Sequence, residues 1–204
     1  MKILVTGFDP FGGETVNPAW EAVRRLPKEI AGAEIIPLMI PTVFGRAPEK
    51  VLEEVRRLHP DAVISVGQAA GRTAITPERI AINVESASIP DNAGFQPAEQ
   101  PVIPGGPDGY FSLLPVTAMA EAVKAAGLPG AVSNTAGTFV CNHVMYRLLH
   151  ACHTACPWMK SGFIHVPCIP EQNENHPERF GMELADIVRG LTAAIEAVVA
   201  AFSA

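Results

Sequence analysis

Asp61-Ala62-Val63-Ile64-Ser65-Val66 is apolar at nearly every position. A strand with one wet face alternates polar and apolar residues, so a run without alternation reads as a strand covered on both faces, central and parallel in its sheet. Working outward, Lys2-Ile3-Leu4-Val5-Thr6 has the same character, and about Glu34–Ile40 forms a further strand closed by Pro41. Helices separate these strands. Asn17-Pro18 is a helix start, with Asn as N-cap and Pro at the first helical position; the helix passes Trp20, Val23 and Leu26 and stops at Pro27. The next helix ends at His59, with Val51, Leu52, Val55 and Leu58 on one face and charges on the other. This alternation predicts an α/β fold, a three-layer α/β/α sandwich around a twisted mixed, mostly parallel sheet, with residues 1–204 as a single domain.

Beyond the central strand, Gly67-Gln68-Ala69-Ala70-Gly71-Arg72 opens a loop, and the run Ile75 to Val84 leads into a fourth strand. Residues 87–110 are rich in Pro, Gly, Asp and Asn and read as a long connection, of the kind that serves as a lid or a subunit contact. Pro115 to Ala126 is a helix ended by Gly127, and Ala131-Val132-Ser133-Asn134 is a short strand. Ser161-Gly162-Phe163-Ile164-His165-Val166-Pro167 is the last core strand. The terminal helix carries Leu184, Ile187, Val188, Leu191, Ile195, Val198 and Phe202 as one apolar stripe. The chain has no internal repeat.

Composition excludes several functions. Charged residues make up 18% and apolar ones 48%, with a net charge of −6 and no cluster of Lys and Arg to neutralise phosphates, so nucleic acid is not a partner. Met1-Lys2-Ile3-Leu4-Val5-Thr6-Gly7 is too short an apolar run for a secretory signal, and no run approaches the ~20 apolar residues that span a bilayer. A cytoplasmic location is expected, with no membrane partner. The four cysteines are then reduced thiols rather than a disulfide framework.

Two motifs point to chemistry that the neighbouring residues do not support. Gly7-x4-Gly12 has the spacing of a phosphate-binding loop, but Gly13-Glu14 stands where Lys-Ser or Lys-Thr is needed, and a carboxylate there repels a triphosphate. The dinucleotide pattern G-x-G-x-x-G is absent too. Phe8 and Phe11 on this loop either wall a ligand site at a strand's C-terminal end or cap the core. His150-Ala151-Cys152-His153-Thr154-Ala155-Cys156 resembles a metal cluster, yet no second pair follows at matching spacing, so these residues are read as finishing a helix. No metal and no cofactor are expected.

Ala136 to His150 places Cys141 at the first turn of a helix whose apolar residues are Val144, Met145, Leu148 and Leu149. A cysteine there is either a small buried hydrophobe or a thiolate stabilised by the helix terminus. A nucleophile needs a base. His143, two residues on, points to another face of the helix, while His59 and His176 are placed to meet solvent. His165 shares a strand face with Phe163 in an apolar segment, as either a core histidine or a catalytic base. Glu78 follows a Thr-Pro corner, as either a solvated strand-start residue or an orienting carboxylate. Together Cys141, His165 and Glu78 are the parts of cysteine acyl-transfer chemistry.

Four segments resemble the pyrrolidone carboxyl peptidase family, also called pyroglutamyl peptidase type I: Thr6 to Gly13, Val66-Gly67-Gln68 through Asn83, Ser133 to His143, and Gly162 to Pro167. They lie in family order and cover nearly the whole chain. The resemblance implies an α/β/α sandwich assembled as a tetramer or dimer, and removal of an N-terminal pyroglutamyl residue from peptides. It implies Cys141 as nucleophile, His165 as base and later acid, and Glu78 as orienting carboxylate. It also implies a substrate pocket of Phe8, Phe11, Gln68, Phe139 and Val140. Pyroglutamate is a flat, uncharged lactam, and its site should offer aromatic and aliphatic walls with an amide partner; Gln68 is suited to donate and accept. The chain departs from the family where Ser88 stands before Ile89-Pro90-Asp91-Asn92 in place of an Arg. If that Arg serves the oxyanion or the substrate backbone, Ser88 does not replace its charge. Cys-His-Glu amidotransferases place their Cys on a Gly-x-Cys-x-Gly elbow that is absent around Cys141. From another class, a non-catalytic small-molecule or nucleotide-binding module could use the same loops.

Overall fold

The buried strands are central, as their apolar runs predict. In the computed structural model, which describes residues 1–173 and 180–203, β1 (Lys2–Phe8) runs parallel to β3 (Ala33–Ile40) on one side and to β4 (Ala62–Gln68) on the other. Beyond β4 lies β8 (Lys160–Val166), also parallel, and the edges are closed by two short antiparallel strands, β2 (Glu29–Ile30) beside β3 and β5 (Thr76–Pro77) beside β8. The six-stranded order is β2-β3-β1-β4-β8-β5.

Alternate side chains of these strands feed two cores. Ile3, Val5, Ile64, Val66, Ile164 and Val166 face α1 (Pro18–Val23), α3 (Val116–Ala125) and α5 (Leu184–Phe202). Leu4, Phe8, Val63 and Phe163 face α2 (Arg46–Leu58) and α4 (Val140–His153). The three layers are therefore those read from the sequence, and they follow from the period of two along strands covered on both sides. Asn17 caps α1 as expected: its Oδ1 accepts the Ala19 N–H at 3.0 Å, and Pro18 follows it. Among the described residues no helix is long and apolar enough to cross a membrane.

Two expectations need correction. The fourth strand expected within Ile75 to Val84 is divided: Thr76–Pro77 joins the main sheet as β5, while β6 (Ile80–Ile82) pairs antiparallel with β7 (Gly109–Phe111) in a separate ribbon. The side chain of Asn142 on α4 draws it there, acting as a false strand edge: Oδ1 accepts the Ile82 N–H at 2.9 Å while Nδ2 donates to the carbonyls of Ile82 and Val84, both at 2.9 Å. The strand expected over 131–134 reduces to single bridges, Ile75 with Gly130 and Glu78 with Ser133. The Ser133 hydroxyl bonds the backbone of Thr135 and turns the chain away before a ladder can extend. His59 is exposed as read and packs against Trp158, whereas His176 lies outside the described residues.

Gly7 shows how closely α1 sits on the sheet. A Cβ there would lie 2.7 Å from Trp20 Cα and 2.8 Å from Trp20 N, both backbone atoms that cannot swing aside. Gly7→Ala is expected to destabilise the fold by about 1–3 kcal/mol through overpacking. A lower urea midpoint at unchanged slope checks it.

Candidate active site

Cys141 is the second residue of α4, and its helix begins without a side-chain cap. The first helical bond in the turn is His143 N–H to Phe139 O at 3.1 Å, so the N–H groups of Val140, Cys141 and Asn142 precede the ladder. The expected thiolate is not what this environment favours. Burial pushes the Cys141 thiol up to about 12 and the charge of Glu78 adds to it; the residue's own backbone N–H and the Arg72 charge pull only weakly the other way. A dry setting beside a carboxylate outweighs the helix terminus.

The sulfur lies over the β4–β8 pair. Gly67 is opposite His165 in that register, and a Cβ at Gly67 would come within 2.9 Å of Cys141 Sγ and 2.8 Å of Phe163 Cζ. The missing side chain is the room the nucleophile occupies.

His165 is 4% exposed and its Nδ1 lies 2.7 Å from Glu78 Oε1. A nitrogen facing a carboxylate carries the proton, which leaves Nε2 unprotonated in the neutral ring. Phe163 backs the imidazole with ring centroids 4.8 Å apart. Glu78 is fully buried rather than solvated at a strand start. β5 sets it there: Thr76 pairs with His165, Pro77 with Ile164, and the Glu78 N–H continues the line to Phe163 O at 2.8 Å. Carboxylate and imidazole are thus registered by the same two strands.

A second imidazole–carboxylate pair involves His143 of α4. His143 Nδ1 is 2.5 Å from Glu85 Oε2, and its Nε2 accepts the Gly45 N–H at 3.2 Å. With both nitrogens engaged this ring has no lone pair to offer a thiol, in keeping with the face read from its spacing. Burial lowers its pKa and holds it neutral against the pull of Glu85.

Cys141 and His165 line one cavity of about 270 Å³, near the lower end of the roughly 300–1,000 Å³ typical of ligand pockets, which suits a single small ring. Phe8, Phe11 and Phe139 supply its walls. Phe139 is held between Phe11, with ring centroids 6.1 Å apart, and the edge-on ring of Phe44 at 5.4 Å. Gln68 is also on the cavity, but its Nε2 already donates to Cys168 Sγ and Gln172 Oε1, each at 3.1 Å. Its donor role is therefore taken; Oε1 accepts from Gln172 Nε2 at 3.4 Å and keeps one further lone pair for a ligand N–H. Val140 is the one expected pocket residue that lies elsewhere. It is fully buried in the core between α4 and the sheet, because its place in the first turn points it inward.

Sequence reasoning did not single out Asn17, Thr42, Arg72 and the segment Thr135–Thr138 as cavity residues. Asn17 had been read only as a cap, and it also donates from Nδ2 to Asp9 O at 3.0 Å. Thr42 is tied to the same loop by its N–H to Asp9 Oδ1 at 2.6 Å. Ser88 is exposed and is not part of the cavity wall. His150 and His153 pack on Tyr110, and Cys152 and Cys156 are buried.

A thiol, an imidazole and an orienting carboxylate around a small apolar cavity define a class, the thiol hydrolases that work through an acyl-enzyme. Comparison with known proteins narrows it. A family model described as pyroglutamyl peptidase matches residues 1–201, and the chain belongs to that family. The pyrrolidone-carboxylate peptidase of Levilactobacillus brevis is 58% identical over 201 residues, covering 98% of both chains. Pyrrolidone-carboxylate peptidase 1 of Streptococcus pneumoniae is 55% identical over 199 residues, 98% of this chain and 93% of the other. Pyroglutamyl peptidase I from Bacillus amyloliquefaciens superposes with a TM-score of 0.93 at 46% identity, over 97% of this chain and 95% of that one. A mutant pyrrolidone carboxyl peptidase from Pyrococcus furiosus gives 0.94 at 40%, over 98% and 99%.

Gly67→Ala tests the packing of the sulfur. It is expected to lower kcat by about 100-fold, the scale of a misplacement near 1 Å, while far-ultraviolet circular dichroism stays unchanged.

Proposed function

We propose that this chain is a cysteine exopeptidase that hydrolyses the peptide bond after an N-terminal pyroglutamyl residue, with Cys141 as nucleophile, His165 as base and acid, and Glu78 as orienting carboxylate. The observation that carries this reading is the 2.7 Å bond from His165 Nδ1 to a fully buried carboxylate, with the same imidazole lining the cavity of Cys141. The cavity walls favour a neutral ring over a charged N-terminus: they are aromatic, Gln68 Oε1 keeps a second lone pair beside its bond from Gln172 to accept a lactam N–H, and Asn17 keeps a second amide hydrogen for a lactam carbonyl.

The reaction follows from these groups. Burial keeps the proton on the Cys141 thiol before attack. As Sγ attacks the pyroglutamyl carbonyl carbon, its proton passes to His165 Nε2, and Glu78 stabilises the imidazolium through Nδ1. The N–H groups that open α4 are the donors for the oxyanion. When the tetrahedral intermediate collapses, the imidazolium gives its proton to the leaving amine, and a thioester remains. Water then attacks the thioester with His165 as base, releasing pyroglutamate and restoring the thiol.

A cytoplasmic, homo-oligomeric protein, dimer or tetramer, completes this reading, which includes neither nucleic acid nor membrane as partner. Exposed Phe111 and Phe95, 66% and 47% accessible, are apolar surface that subunit contacts would cover.

Cys141→Ala should abolish hydrolysis of a pyroglutamyl arylamide by wild-type-like folded protein, and prolyl and glutamyl arylamides should be poor substrates of the unmodified enzyme. Retained turnover in the variant would end the proposal. Iodoacetamide offers a second check: alkylation of Cys141 should still be accelerating at about pH 9, as a raised thiol requires. A rate already level near neutral pH would instead indicate a resting thiolate.

A further inference from the structure

Arg72 stands in the loop after β4 and shares the cavity with Cys141 and His165, yet none of the steps above uses it. Its guanidinium makes three bonds of 3.0 Å. Nη1 donates to Thr76 Oγ1; Nη2 donates to Glu78 Oε1 and to the carbonyl of Thr135. Each leads to a different part of the catalytic group. The Thr76 hydroxyl donates onward to the carbonyl of His165 itself, at 3.4 Å. Glu78 Oε1 is the same oxygen that holds His165 Nδ1. Thr135 begins the segment that lines the cavity and runs into α4, four residues before Phe139.

We propose that Arg72 is a positioning residue of the reaction: its planar fork locks Glu78 onto His165 and fixes the Thr135–Thr138 segment that delivers Cys141. The inference rests on the assignment of Cys141, His165 and Glu78 made above.

Two further observations agree with it. Glu78 is fully buried and, among the described residues, its Oε2 has no hydrogen-bond partner, so a carboxylate in that position depends on the donors gathered at Oε1. Of these Arg72, with a side chain 24% exposed, brings a permanent compensating charge. On the thiol, burial is the largest influence; behind it the Glu78 charge also opposes ionisation, and the Arg72 charge favours it. The titratable or charged groups facing the guanidinium are Glu78 after β5, His165 on β8 and Cys141 on α4. Thr135 and Thr76 contribute only neutral oxygens.

The test compares Arg72→Gln and Arg72→Lys with wild type on a pyroglutamyl arylamide, separating kcat from KM across the pH range, beside Cys141→Ala and Glu78→Gln. Arg72→Gln should lower kcat by roughly 100-fold with KM within about threefold, because the reacting groups lose register while the ring pocket stays. Its pH profile for kcat/KM should move to higher pH by about one unit, since an uncompensated Glu78 makes both the imidazole and the thiol hold their protons more strongly. Arg72→Lys keeps the charge but not the fork, so it should restore the position of the profile and only part of kcat. If the Gln variant does not fold, the Lys variant carries the test through that same split. An unshifted profile in Arg72→Gln, a kcat within threefold of wild type, or a Lys variant that behaves as Gln does would overturn the proposal. Full activity in Cys141→Ala or Glu78→Gln would instead overturn the underlying assignment.

Discussion

Everything at the catalytic end of this protein depends on keeping one carboxylate out of water. An ion as deeply placed as Glu78 carries an effective penalty of several kcal/mol unless it is paired and hydrogen-bonded. The sequence meets that demand from three directions, with an imidazole from β8, a guanidinium from the loop after β4 and backbone pairing along β5. These constraints also fix what the imidazole can do. Its Nδ1 is committed, its tautomer is set, and only Nε2 remains for chemistry.

The location of the cavity follows from topology. β1 lies between β3 and β4, and the chain crosses β1 on its way from one neighbour to the other. Loops leaving β1 and β4 therefore diverge and leave a crevice beyond their C-terminal ends, where open α/β sheets hold ligands. Phe8 ends β1 and Phe11 follows in its loop, while Gln68 ends β4 and Arg72 follows in the other. α4 closes the crevice from the side of Phe163 and brings Cys141 with it. The aromatic wall is held from outside by Asp91, whose carboxylate accepts the N–H groups of Phe44 and Phe95, so the long connection over 87–110 acts as a buttress.

Much of this was legible beforehand because it is written in local patterns. Unbroken apolar runs gave the central strands, the Asn-Pro pair gave the start of α1, and residue chemistry and the family likeness together picked out Cys141, His165 and Glu78, of which the last two meet in the fold. What was hidden depends on distant partners. No local pattern could show that Asn142 would capture the Ile82 strand, or that Ser133 would stop its own. Nor could spacing reveal that the thiol, placed at a helix start, would be governed by its dry surroundings and by a glutamate 63 positions earlier. The side chain of Val140 turns into the core although it adjoins Cys141, because a helix turns successive side chains by about 100°, and only its backbone N–H is left at the helix start.

Burial of the Cys141 sulfur bears on more than attack at a carbonyl. Oxidation of cysteine to sulfenic and higher acids also proceeds through the thiolate, so surroundings that raise the thiol work against its reaction with peroxide as well.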